Sequence, residues 1–181
     1  MRLFVAVWPP ESVVEMLLGL DRPELPSLRW TTEPQWHVTL RFLGEVGDPG
    51  PVAEALAAVP GDLSATGPGV VRAVLGPTTA WFPDRQVLQV PVAGLDGLAR
   101  AVATVTAPWG ENVEGHRFSG HLTLARARGR ARGPAGLAGA SLAATWQVRG
   151  FELVSSVLGR GGSRYETVAT VPLVDTSRSP A

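Results

Sequence analysis

The chain contains no cysteine and no lysine. Without cysteine it has no disulfide, no thiol nucleophile and no thiolate metal site. Without lysine, all 16 basic residues are arginine, which excludes a lysine nucleophile, including the covalent lysine–nucleotide chemistry of ATP-dependent ligases. No Gly-rich phosphate loop ends in lysine, so ATP hydrolysis is not expected. No Gly-x-Ser-x-Gly elbow presents a serine nucleophile. Net charge is missing as well: 16 arginines balance 16 acidic residues, so any anion site has to be local. No apolar run approaches the ~20 residues of a membrane span. The start, Met1 to Pro10, is too short and too soon broken by Pro9-Pro10 for a signal peptide. These exclusions leave a cytoplasmic enzyme or binding protein, without a membrane partner, as the default.

Histidine is also scarce, yet two of the three histidines open the same tetrad. One is His37-Val38-Thr39-Leu40, the other His121-Leu122-Thr123-Leu124. Each lies in an apolar, β-branched run that reads as a strand. Side chains alternate along a strand, so His37 with Thr39, and His121 with Thr123, face away from the apolar side that seeks a core. Two strand histidines satisfied by packing would be the bland explanation. Their duplication in one context argues instead for a cleft with paired titratable groups.

A length of 181 residues, 45% hydrophobic and 18% charged, fits one folded domain with a sizeable core. Strands are expected at Leu3–Trp8, Leu28–Thr31, Val70–Leu75, Thr78–Phe82, Gln86–Val92, Thr145–Leu158 and Tyr165–Leu173, besides the two tetrads. Helices are expected over Glu11–Leu20, from Pro49 to about Val59, and over Leu95–Val105, with a weakly helical Gly133–Ala144. Thr176–Ala181 reads as a loose tail. The tetrads stand 84 residues apart, from 37 to 121, and the strand–helix starts at Leu3 and Leu88 stand 85 apart. That period is too long for a solenoid. It predicts an α+β fold of two pseudo-symmetric lobes, each a mainly antiparallel sheet with helices on its outer face. The sheets would face each other across a central cleft that holds His37 and His121.

Facing histidines can serve as general base and general acid near neutral pH. The Thr39 and Thr123 hydroxyls can bond the oxygens of an anion between them, and Arg126 can add a charged fork. A phosphodiester fits such a site. A catalytic zinc usually needs three protein ligands, and neither tetrad contains an acidic residue, so no metal is expected.

Arg2-Leu3-Phe4-Val5-Ala6-Val7, the block His37 to Gly44, the block His121 to Arg126, Phe151 to Ser156 and Tyr165-Glu166 together resemble the RNA 2′,3′-cyclic phosphodiesterases, or 2′-5′ RNA ligase-like proteins, of the 2H phosphoesterase superfamily. The resemblance covers nearly the whole chain. It implies a single bilobal domain over residues 1–175, followed by the tail at 176–181. It implies metal- and cofactor-free opening of a 2′,3′-cyclic phosphate on an RNA end or small nucleotide to a 2′-phosphomonoester, by a monomer. The alternatives are 2′-5′ joining of RNA ends, or a non-catalytic module that grips RNA or nucleotide phosphate. By position, His37 and His121 match the catalytic histidines and Thr39 and Thr123 the phosphate-binding threonines. Arg126 and Phe42 match the basic and aromatic substrate contacts. Gly120 stands where family members often carry proline.

Strand alternation alone puts Phe42 and Arg126 on the face opposite their histidines, unless each strand bends before its fifth residue. His116 reads as a surface histidine, and Trp30 and Trp36 as core. Arg128, Arg130 and Arg132 read either as a solvated loop or as a patch that tracks RNA phosphates.

Overall fold

The protein is described by a computed structural model, which covers residues 1–60, 63, 70–110, 118–159 and 162–173. His116 and Thr176–Ala181 lie outside these residues.

Ten strands carry the fold: β1 (Arg2–Val7), β2 (Leu28–Trp30), β3 (Val38–Glu45), β4 (Arg72–Leu75), β5 (Ala80–Trp81), β6 (Val87–Ala93), β7 (His121–Ala127), β8 (Ala144–Gln147), β9 (Gly150–Gly159) and β10 (Gly162–Pro172). Among the described residues they are accompanied by the helices α1 (Glu11–Leu18), α2 (Gly50–Leu56) and α3 (Asp96–Val105), and Val59, Pro60 and Leu63 are helical as well. Single 3₁₀ turns stand at Glu33–Gln35 and Ala135–Leu137. The Gly133–Ala144 stretch forms no helix beyond that second turn, since its glycines and proline favour extended and turning backbone over an α-helix.

Every strand pairing is antiparallel. The strands form one curled sheet in the order β10-β9-β1-β3-β7-β6-β4-β8, with β2 beside β7 and β5 beside β6. The expected pair of separate sheets is therefore joined into one. The seam is a single ladder pair, Val38 with Leu122, between the two histidine strands. From that seam the order reads β3, β1, β9, β10 one way and β7, β6, β4, β8 the other. The sequence repeat matches this arrangement: β1 corresponds to β6 and β3 to β7. The strands that come after each tetrad cross over, β4 pairing with β6 and β9 with β1.

That crossing explains why the expected strand Thr145–Leu158 is two strands. β8 pairs with β4 in one half of the sheet and β9 with β1 in the other. Between them Val148 donates to the Val71 carbonyl at 2.8 Å, and Leu173 donates to that of Arg149 at 2.9 Å. The run is β-forming throughout, so propensity shows no break where the pairing partner changes.

Alternation along β1 separates the two faces of the sheet. Leu3, Val5 and Val7 join Val38, Leu40, Leu122 and Leu124 in the main core, against Val13 and Leu17 of α1, Val52 and Leu56 of α2, and Leu98 and Val102 of α3. Phe4 and Ala6 turn the other way, toward Val154, Trp8 and Tyr165. The helices thus cover one face and leave the histidine face open.

Leu122 is fully buried at the seam. Leu122→Ala should lower the unfolding free energy by about 2–5 kcal/mol, the usual cost of a buried leucine truncation. Val157→Ala, at a residue 59% exposed, should change it by less than about 0.5 kcal/mol. Urea unfolding of the two variants checks this, and similar losses in both would contradict the assigned core.

Candidate active site

The chain reaches His37 through a segment fixed on both sides. Gln35 closes the 3₁₀ turn, its Oε1 accepting from the Thr32 backbone N–H at 3.2 Å. Trp36 is buried and donates its indole N–H to the Thr31 hydroxyl at 3.0 Å. The Thr31 hydroxyl shares its one proton between the carbonyl oxygens of Thr123 and Leu124, each at 2.8 Å, and the Thr31 backbone N–H also donates to the Leu124 carbonyl at 2.8 Å. The approach to the first tetrad is thereby tied to the backbone of the second. At the start of β7, Gly120 packs so closely on β6 that an added Cβ would lie 2.2 Å from the Val92 carbonyl oxygen. A side chain or proline ring at that position would force the strands apart.

The difficulty with Phe42 and Arg126 is resolved by two bulges. Along β1 and β3 the register runs Ala6 to Thr39, Val5 to Arg41 and Phe4 to Phe42, so Leu40 is the extra residue. Along β6 and β7 it runs Gln89 to Thr123, Leu88 to Ala125 and Val87 to Arg126, so Leu124 is the extra residue. One inserted residue flips the parity of the positions that follow it up to the next shift, which in β3 comes only after Phe42, where Leu3 pairs with Gly44. Phe42 and Arg126 therefore share the face of Thr39 and Thr123. Arg41 points the other way and donates to the Thr106 hydroxyl at 3.0 Å and the Trp109 carbonyl at 3.0 Å, beyond the end of α3.

A cleft of about 390 Å³ lies on this face, and His37, His121, Thr39, Thr123, Arg126 and Phe42 all line it. Arg2, Arg29 and Tyr165 line it too, and no carboxylate does among the described residues. These three were not among the residues singled out for the site from sequence. Arg29 sits directly across the ladder from Arg126, and Tyr165 and Arg2 both pair with Ser156. Each depends on a long-range pairing that leaves no local signal.

His37 sits in an aromatic enclosure. The ring centroids of Phe4, Trp8 and Tyr165 stand 5.0, 5.3 and 5.1 Å from its own. Burial is the main cause that lowers its pKa from 6.5 to about 4, with His121 and Arg126 adding positive charge nearby. The Gln35 backbone acts in the opposite direction, although His37 Nδ1 completes no hydrogen bond. The ring is neutral at pH 7. His121 is oriented differently: its Nδ1 lies 2.9 Å from the Ser119 carbonyl, which assigns the proton to Nδ1 in the neutral ring and leaves Nε2 for the cleft. Phe82 packs edge-on against it at 4.9 Å. No three His, Asp or Glu side chains among the described residues gather as a metal site, and no helix there is long and apolar enough to cross a membrane.

The shift at His37 makes stability depend on pH. Above pH 6.5 the ring is neutral in the folded and unfolded chain alike. As pH falls from 6.5 toward 4, the unfolded chain takes up a proton that the native ring refuses, and stability drops. Over that window the loss attributable to His37 is at most about 3 kcal/mol, at ~1.4 kcal/mol per pKa unit. His37→Gln should show a smaller fall in urea midpoint between pH 6.5 and pH 4 than the wild type. Equal falls would refute the assignment.

No family model matches the chain. A curated RNA 2′,3′-cyclic phosphodiesterase from Geobacillus stearothermophilus is 31% identical over 177 residues, an alignment that covers 91% of this chain and 54% of that protein. The chain thus spans about half the length of this relative. Among solved structures, a Thermus thermophilus protein is 29% identical with a TM-score of 0.77, over 96% of this chain and 98% of its own. Escherichia coli LigT in its apo form, 24% identical, superposes with a TM-score of 0.67 over 94% of this chain and 96% of its own, and so shares the fold. The chain is thus similar in sequence to a cyclic phosphodiesterase and shares the fold of LigT, a mostly antiparallel curled sheet with few helices.

Proposed function

We propose that the chain is a hydrolase that opens the 2′,3′-cyclic phosphate of an RNA end or nucleotide to a 2′-phosphomonoester. The observation that carries this is the pair of unlike histidines in one cleft. His37 is held neutral by its aromatic walls, and His121 is aimed by the Ser119 carbonyl. His37 takes a proton from water as the water oxygen bonds to phosphorus. The bond from phosphorus to O3′ breaks, and His121 returns a proton to that oxygen. Thr39, Thr123 and Arg126 hold the non-bridging oxygens, and Phe42, 67% exposed at the rim, offers a surface for the base. An RNA 5′-hydroxyl in place of water would give 2′-5′ joining by the same residues. LigT has also been crystallised with phosphate and with 3′-AMP, ligands of the chemistry this cleft is suited to take. A module that only gripped phosphate would be served by arginine alone.

The test is hydrolysis of a nucleoside 2′,3′-cyclic phosphate in EDTA. His37→Ala and His121→Ala should each lose about 10²–10⁴-fold in rate, and the double variant far less than the product of the two. The pH profile of kcat/KM should be bell-shaped. Its limbs belong to the histidine pair, and the lowered pKa of His37, about 4, extends the active range on the acid side. Loss of activity in EDTA that zinc restores would overturn the mechanism, as would no hydrolysis at all.

At the anion subsite, Arg126→Ala should cost more than Thr39→Val or Thr123→Val, since a bond from a charged group is worth about 1.5–3 kcal/mol and a neutral one about 0.5–1.5. Arg126→Lys should recover part of the loss, because the ammonium keeps charge but not the planar fork. Charge builds on these oxygens during attack, so kcat should fall together with any rise in KM. Steady-state kinetics decide it, and constants for Arg126→Ala within about twofold of wild type would remove Arg126 from the site.

A further inference from the structure

The basic surface continues past Arg126. β7 runs out into Arg128-Gly129-Arg130-Ala131-Arg132-Gly133, and Arg126, Arg128, Arg130 and Arg132 are all exposed. Runs of exposed arginine are ordinarily solvated loops, and two observations set this one apart. The first is that its backbone is pinned. Arg128 donates to the Ser27 carbonyl at 2.8 Å, Ala131 to that of Arg128 at 3.2 Å and Gly133 to that of Arg85 at 2.9 Å. Gln86 Nε2 donates to the Ala131 carbonyl at 2.7 Å. Trp81 lies so close over Gly133 that a Cβ there would sit 2.0 Å from its ring, and its indole N–H donates to the Pro134 carbonyl at 2.9 Å.

The second is charge. No carboxylate of the described residues pairs with any of these four arginines. The loop therefore presents guanidinium groups from a held backbone, with no carboxylate partner among the described residues, although the chain as a whole carries no net charge. The run is also continuous with the cleft. Arg126 pairs with Arg29, Ala127 with Leu28, and the Arg128 N–H reaches Ser27. Arg126 and Arg128 accordingly fall on one side of the strand, about 7 Å apart at two residues of strand rise. Cations spaced along a held backbone, starting where a phosphate is bound and leading outward, suit a polyanion whose end occupies the cleft.

We propose that Arg128, Arg130 and Arg132 form a track for the backbone phosphates of a single-stranded RNA whose terminal cyclic phosphate lies in the cleft. The preferred substrate is then an oligonucleotide rather than a mononucleotide. The inference rests on the phosphodiesterase reading of the cleft. A single strand is favoured because its end has to enter the cleft, and contacts to phosphate alone bind without regard to sequence.

The experiment compares wild type with the triple variant Arg128→Ala, Arg130→Ala, Arg132→Ala on two substrates. One is cytidine 2′,3′-cyclic phosphate, the other a short oligoribonucleotide ending in the same group, each at 50 and 200 mM salt. Three phosphate contacts contribute about 2 to the slope of log affinity against log salt, at ~0.7 per contact for a single strand. The wild-type KM for the oligonucleotide should therefore rise about 20-fold more than the variant's over that salt range, while constants for the mononucleotide match in both proteins. Equal salt dependence in the two proteins, or parallel losses on both substrates, would overturn the track. Single substitutions, each removing about a third of the slope, serve if the triple variant folds poorly. If wild type cleaves neither substrate, the phosphodiesterase reading fails by itself. Fluorescence anisotropy of the labelled oligonucleotide then still decides the track: weaker, less salt-sensitive binding by the variant supports it, and equal binding overturns it.

Discussion

The site depends on a one-residue slip in each of two strands. A regular strand sends residues to alternate faces, so a tetrad that aims histidine and threonine at the cleft would send the residue five places on into the core. Leu40 in β3 and Leu124 in β7 are the inserted residues, and both are buried. A bulge leaves backbone groups out of the ladder. At Leu124 the carbonyl is taken by the Thr31 N–H and hydroxyl together, and Thr31 is itself held by the Trp36 indole. The segment that delivers His37 is thus bonded to the strand that carries His121. The two histidines are fixed to each other through this clamp as well as through the single ladder pair of Val38 and Leu122.

The electrostatics of the cleft are set by what it excludes. Three arginines and two histidines share it without a carboxylate among the described lining residues. The nearby Glu152 accepts from the Trp8 indole at 2.8 Å and the Thr167 hydroxyl at 2.7 Å, which anchors one wall of the His37 enclosure. Burial and positive neighbours both disfavour a charged His37. A bound phosphodiester would bring a negative charge that opposes the second of these, so the ring would become a better proton acceptor when substrate is present. On the proposed mechanism, the charge that builds on the phosphate during attack strengthens this effect at the moment the proton moves.

The paired tetrads and the helices at residues 11, 50 and 96 are legible in the sequence, because each arises from local hydrophobic period or from similarity between the two halves. The sequence also suffices to put His37 with Thr39, and His121 with Thr123, on one face, since strand alternation places them together, and all four line the cleft. Other features required the tertiary structure. The union of the halves into one sheet hangs on one residue pair, and the division of Thr145–Leu158 results from a change of partner inside a uniform β-forming run. The bulges that turn Phe42 and Arg126 into the cleft, and the arrival of Arg29, Arg2 and Tyr165, are set by register between distant strands. The neutrality of His37 comes from aromatic rings at residues 4, 8 and 165, brought around it by folding. Period and propensity are properties of neighbours along the chain; register, burial and the field at a side chain are properties of neighbours in space.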